Sequence, residues 1–258
     1  TLLTTFAVAL TNHSFAAACA AASLYCILLI TKKNLQTWKI FIAAGLTAGL
    51  TAAFDLPALA WTAAVIGILA AFDWRKTTCA TLPAVLTVFL AAVGTNLIAH
   101  GTAWPPYAYR DTPNLAEIST TPSSASDSVN QWNPDNWYDY RFKMPNGRVI
   151  ESYWRSPNGI DRGEPSLTRY AFHATIGHHG IFSLTPIWLL CIPGLCMMLR
   201  RRGEGWQMLS IAIFAVSMTV VVFYLTRQPW DRNYGGSTSG FRWVLWMAPL
   251  WITALTPV

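Results

Sequence analysis

Long apolar runs alternate with short polar breaks along this chain, and the lengths of the runs decide its class. Apolar stretches cover residues 14–31, 38–54, 58–72, 77–99, 181–199 and 206–226, and two more, 1–10 and 244–258, meet the ends of the sequence. A bilayer is crossed by about 20 apolar residues in helix. The pattern therefore predicts an all-α polytopic membrane protein with about seven to eight transmembrane helices, of which 58–72 is short. Within 38–54 the small residues Ala43, Ala44, Gly45, Ala48, Gly49, Ala52 and Ala53 recur at helical spacing, which lets helices approach closely in lipid.

One long polar segment, 100–180, breaks the alternation. Its first part is rich in Ser, Thr, Pro and Asp and reads as a loop. NWYDYRF and RVIESYW then read as strands joined by KMPNG, whose Asn146-Gly147 is a hairpin signal. The expected organisation is transmembrane helices over 1–99, a small β-hairpin-containing extracytoplasmic insertion over 100–180, and transmembrane helices over 181–258 with an outer Arg/Gly loop at 227–243.

Composition agrees with the pattern: 53% of the 258 residues are hydrophobic and 12% charged, against about 25% charged in soluble proteins. The net charge of +6 does not point to nucleic acid, because no basic run interleaves with aromatics on a polar segment. The five cysteines all lie in apolar stretches and read as small buried hydrophobes. The chain opens at Thr1 inside an apolar run, so the expectation is an N-terminally truncated fragment, with Val258 also ending inside a run.

Basic residues set the orientation. Lys32, Lys33 and Lys39 fill one short loop, Arg75 and Lys76 a second, Arg200 to Arg202 a third, and counting spans puts all three on the cytoplasmic side. Asn12-His13, Asp55-Leu56-Pro57, 100–180 and 227–243 then face outward. Arg227, Arg232 and Arg242 violate the rule for a short outer loop, and the preferred reading is that they hold an anion.

Candidate chemistry collects on that outer side. Two roles fit Asp55: a base or sugar-orienting carboxylate facing a shared cavity, or a cap on the helix that begins near Ala58. His13, beside Asn12, carries the same ambiguity. The run HATIGHHGIFSLTP brings His173, His178 and His179 to the point of membrane re-entry; its spacing matches no familiar zinc set, so hydrogen-bonding histidines are preferred and a divalent metal is the lesser reading. In RQPWDRNYGGSTSGFRW, the arginines with Asn233, Tyr234 and the glycine pair suit a phosphate, the alternative being an interfacial turn anchored by Trp and Arg.

The order of an Asn-His turn, LYCILLI and WKIFIAAGLTAGLTAAFDLPAL resembles the middle of multi-pass membrane glycosyltransferases of the GT-C type, the group that contains polyprenyl-phosphate-sugar-dependent protein mannosyltransferases and aminoarabinose transferases of lipid A. DRGEPS, GHHGIFSLTPIWLL and DRNYGGSTSGFRW are similar to segments of bacterial, chiefly planctomycete, membrane proteins distantly related to that group. Only residues 24–59 speak for the GT-C type. The resemblance implies inverting transfer of a sugar from a polyprenyl-phosphate carrier to an acceptor on the outer face; no cofactor is assigned beyond the lesser divalent-metal reading. On it, Asp55 and His13 are catalytic candidates and Arg227, Arg232, Asn233, Tyr234, Arg242, His178 and His179 substrate-binding ones. The family's usual catalytic acid lies in a first outer loop that would precede Thr1, so Asp55 is not its equivalent. The partners implied are the lipid bilayer and a polyprenyl-phosphate-linked sugar, with no nucleic acid and no oligomeric state specified. The alternative is a non-catalytic membrane protein whose outer segment binds a cell-envelope partner. A transporter is disfavoured because the spans carry almost no ionisable residue at depth.

Overall fold

The computed structural model describes residues 11–105, 141–153, 158–201, 203, 205–235 and 240–257. The chain divides into two compact units, one formed by residues 1–89 and 160–258, the other by 90–159. Residues 160–180, assigned above to the insertion, fold with the first unit.

The first unit is helical. α1 (Asn12–Lys33) is Ala-rich in its first half and ends at Asn34, which takes a left-handed conformation (φ 51°) and donates its N–H to Leu29 O. Asn tolerates that conformation better than other side chains. α2 (Trp38–Phe54) ends at Asp55, and the 3-10 turn Leu56–Ala58, with its early Pro, leads into α3 (Leu59–Phe72). The side chain of Asp73 then caps a new start by accepting from Lys76 N. A π-helical turn (Thr77–Thr81) runs into α4 (Leu82–His100), which continues from the first unit into the second.

α5 (Leu167–Thr175), capped by Ser166 Oγ, and the short α6 (Ile181–Leu184) precede a 3-10 stretch (Pro186–Leu190) and α7 (Cys191–Arg200). α8 (Trp206–Leu225) follows, then the 227–243 loop, the 3-10 segment Arg242–Met247 and α9 (Ala248–Leu255). In the second unit β1 (Arg141–Lys143) pairs antiparallel with β2 (Val149–Glu151), with Phe142 opposite Ile150. Gly147 turns the chain at φ 79°. The second strand is shorter than the sequence pattern predicts, and residues 136–140 of the first lie outside the described ones.

Among the described residues, three helical stretches are long and apolar enough to cross a membrane: Asn12–Lys33, Leu56–His100 and Trp206–Leu225. Trp38–Phe54 and Pro186–Arg200 are shorter. The 17 residues of α2 reach only about 25 Å at 1.5 Å per residue, against a hydrocarbon core of about 30 Å. Among the described residues the chain is thus mostly helical, with three candidate spans. Leu86, Phe89 and Ile98 of α4 and Ile211, Phe214 and Val222 of α8 are exposed, an apolar surface that water disfavours and lipid accepts.

Small residues set the closest contact. A Cβ on Gly45 would stand 2.5 Å from Thr81 O and 2.9 Å from Ala84 Cβ, and one on Gly49 would stand 3.1 Å from Val88 Cβ. The two glycines, four residues apart, let α2 lie against the start of α4, where Thr81 Oγ1 donates to Phe41 O. Other interhelical hydrogen bonds run from Trp61 Nε1 to Ser23 Oγ, Thr62 Oγ1 to Ala48 O, Ser210 Oγ to Leu195 O and Trp251 Nε1 to Ser217 Oγ. Each contributes on the order of 1 kcal/mol in an apolar surround.

Candidate functional site

The first turn of α1 and the end of α2 meet. Asn12 Nδ2 donates to Phe54 O at 2.9 Å, fixing the helix ends side by side. Asn12 is exposed, whereas His13, one residue on, faces inward. His13 Nδ1 lies 2.6 Å from Asp55 Oδ2, and the two residues are 2% and 5% exposed. Asp55 makes no side-chain cap to the turn that follows it, although its carbonyl accepts from Ala58 N. Of its two sequence-level roles, capping is not the one its side chain plays.

The Tyr224 hydroxyl also hydrogen-bonds the Asp55 carboxylate. Asp55 lies in the turn between the apolar stretches, and burial outweighs both hydrogen bonds and the His13 imidazole, raising its pKa above the ordinary carboxylate range. Such a carboxylate binds a proton more readily than a solvated one, which suits a proton acceptor.

Aromatic rings extend the cluster to the 227–243 loop. Trp243 meets His13 edge-on at 5.5 Å and stacks on Tyr224 at 5.6 Å. Its Nε1 donates to Asn233 O, which also accepts from the Tyr170 hydroxyl. Asn233 is buried, and its Oδ1 receives Gly235 N–H. Tyr234 is buried as well, stacked on His179 at 4.3 Å. Burial, helped by Glu164, pushes the Tyr234 hydroxyl up to about 12, and burial raises that of Tyr170 further. Both rings stay neutral hydrogen-bonding groups at neutral pH.

The three arginines have different fates. Arg227 is paired with Asp231 through Nε and Nη2. Arg232 donates to Arg227 O at 2.8 Å and Pro165 O at 3.0 Å, bracing the loop against the segment before α5. Gly163 makes the same approach possible: at φ 79° it sits where a Cβ would collide with Pro229 O and Trp230. Arg242 differs. Its Nε is buried with no hydrogen-bond partner among the described residues, its guanidinium lies 5.9 Å from the Trp243 ring, and burial lowers its pKa against the opposing pull of Asp161. Gly235, at φ 100°, has no Cβ where Arg242 Cβ would meet it at 2.8 Å.

The structure therefore gathers His13, Asp55, Asn233, Tyr234, His179 and Arg242 into one connected group. His178 is exposed and stacks on His173, outside it. Arg227 and Arg232 border it with their charges and donors engaged internally. Among the described residues no three His, Cys, Asp or Glu side chains come together to hold a metal ion, so the lesser metal reading finds no donor set there. Tyr224 and Trp243 were missed by sequence reasoning. Tyr224 closes an apolar run as one hydroxyl among aliphatics, and only its place in the last turn of α8, beside the polar loop, distinguishes it.

An apolar cavity of about 260 Å³ opens nearby between α6, the 3-10 stretch after it and α9, walled by Ile181, Trp188, Phe241, Leu245, Trp251 and Ile252. Phe241 links it to the polar group: its N–H donates to His179 O, and its ring contacts Tyr224 and Tyr234. No protein-family model, curated protein or solved structure matches the chain.

Proposed function

We propose that this chain is an integral glycosyltransferase of the bacterial inner membrane, or the C-terminal part of one. It crosses the bilayer about seven to eight times, the shorter apolar helices completing the count. It transfers a sugar from a polyprenyl-phosphate carrier to an acceptor hydroxyl on the outer face. The observation that carries this reading is the buried hydrogen bond between Asp55 and His13, joined across 42 residues of sequence at 2.6 Å.

Asp55, with His13 and Tyr224 holding it, takes the proton of the acceptor hydroxyl. The acceptor oxygen forms its bond to the anomeric carbon as the bond from that carbon to the carrier phosphate breaks, and the electron pair leaves on the phosphate. Arg242, with its Nε not yet engaged, supplies the cation that stabilises the departing phosphate. The apolar cavity beside Phe241 receives part of the isoprenoid chain.

The burial of His13 and Asp55 favours a second reading, in which the pair is a latch between α1 and α2 in a non-catalytic protein whose outer segment binds a cell-envelope partner. One substitution separates the two. Purified protein is reconstituted in lipid nanodiscs with a short-chain polyprenyl-phosphate sugar, and Asp55→Asn is compared with wild type for sugar transfer, carrier binding and melting temperature. The enzyme reading expects transfer to fall by about 10²-fold or more, as for a lost general base, with carrier binding kept and the melting temperature not lowered. Absence of transfer by the wild-type protein, or a variant that loses only its folded state, removes the reading.

A further inference from the structure

At the other ends of α1 and α8 the structure builds a second polar site. α1 finishes with Lys32 and Lys33, α7 finishes with Arg200 followed by Arg201, and both termini meet at Trp206, the first residue of α8. Lys32 Nζ lies 3.9 Å from the centre of the Trp206 ring, and the Arg201 guanidinium lies 5.8 Å from it. A single indole thus holds cations from two helices that are far apart in sequence.

The backbone is shaped for this junction. Gly205 takes φ 74°, and a Cβ there would stand 2.9 Å from Thr31 Cγ2 and 3.1 Å from Phe72 Cζ, so its absence lets the start of α8 reach the ends of α1 and α3. Gln207 Nε2 donates to Leu199 O, tying the same turn to the end of α7. Lys33, Arg200 and Arg201 remain exposed.

We infer that this junction is a binding site for the headgroup of an anionic phospholipid. The chemistry is that of a phosphodiester at a membrane boundary: compact cations for the phosphate oxygens, an indole for the glycerol and carbonyl level, and apolar helix directly beyond for the acyl chains. Cations at helix C-termini also meet the negative end of the helix dipole, which favours their charged state but consumes only part of their field. The site lies at the opposite end of α8 from Tyr224 and does not depend on the proposed transfer reaction.

The test uses the whole chain purified in a neutral detergent, titrated with phosphatidylglycerol, phosphatidylcholine or inorganic phosphate, and read by native mass spectrometry and melting temperature. Phosphatidylglycerol is expected to stay bound and raise the melting temperature, with high salt weakening both. Phosphatidylcholine and inorganic phosphate do neither; stabilisation by inorganic phosphate alone would assign the site to a free anion and overturn the lipid. Lys32→Gln with Arg201→Gln lowers phosphatidylglycerol retention by about tenfold. Arg148→Gln with Arg169→Gln, which removes the same charge away from this junction, leaves retention unchanged. Equal loss in both pairs, or no lipid selectivity in the wild-type chain, overturns the inference; the second result stands even if the first variant does not fold.

Discussion

A carboxylate and an imidazole brought within 2.6 Å in an enclosed turn set the residue-level energetics of this protein. Truncating either leaves a buried polar group without its partner, which costs about 2–3 kcal/mol. Asp55→Ala is therefore expected to lower stability by that amount, and combining it with His13→Ala to cost less than the two losses added, measured by denaturation in detergent. The raised pKa of Asp55 gives a pH dependence with a definite sign. Folding favours its protonated form, so its contribution is full below the ordinary carboxylate range near 4 and is lost as pH rises through the higher folded value. Wild type is expected to lose melting temperature over that window relative to Asp55→Asn, and a parallel pair of curves would contradict it. Among the arginines, Arg242→Ala is expected to weaken binding of a polyprenyl-phosphate sugar while leaving stability nearly unchanged. Arg232→Ala should instead reduce stability, because its donors brace two backbone carbonyls.

Helices behave here as the small-residue pattern of α2 anticipates, and the contact with α4 can be checked one glycine at a time. Gly45→Ala places a methyl against a backbone carbonyl that has little room to retreat, and a loss of about 1–3 kcal/mol is expected. Gly67→Ala in α3 meets nothing within 4 Å and should be neutral or stabilising by up to about 1 kcal/mol through helix propensity. Thermal unfolding of the two variants distinguishes packing from propensity. The spacing of Gly45 and Gly49 was legible in the sequence because small size alone permits close approach. The π turn at Thr77–Thr81 was not, since no local pattern marks where one residue is added to a helical turn.

Across the whole molecule, the cations Lys32, Lys33, Arg200 and Arg201 and the polar cluster around Asp55 lie towards opposite ends of α1 and α8. With α8 crossing a bilayer, single cysteines at 33 and 230, introduced after removal of the five native ones, are expected to react with impermeant reagents from opposite compartments. Labelling from the same side would overturn the proposed crossing by α8. Among the described residues, apolar runs exceed the helices long enough to cross unaided, because run length measures composition while a span needs continuous helix of sufficient reach. Trp38–Phe54 and Pro186–Arg200 are the helices on which that difference turns.

Sequence by itself determined the helical, membrane-associated character of the chain, the small face of α2 and the sorting of its basic residues, because each depends on composition or spacing within one segment. Only the tertiary structure decided that Asp55 turns to His13 and Tyr224 rather than capping its own helix, that Arg227 and Arg232 spend their donors on the loop while Arg242 keeps Nε unengaged, and that Lys32 and Arg201 share one indole. A hydrogen bond or ring contact is fixed by distances of a few ångströms between segments remote in the chain. Those distances exist only once the helices have packed.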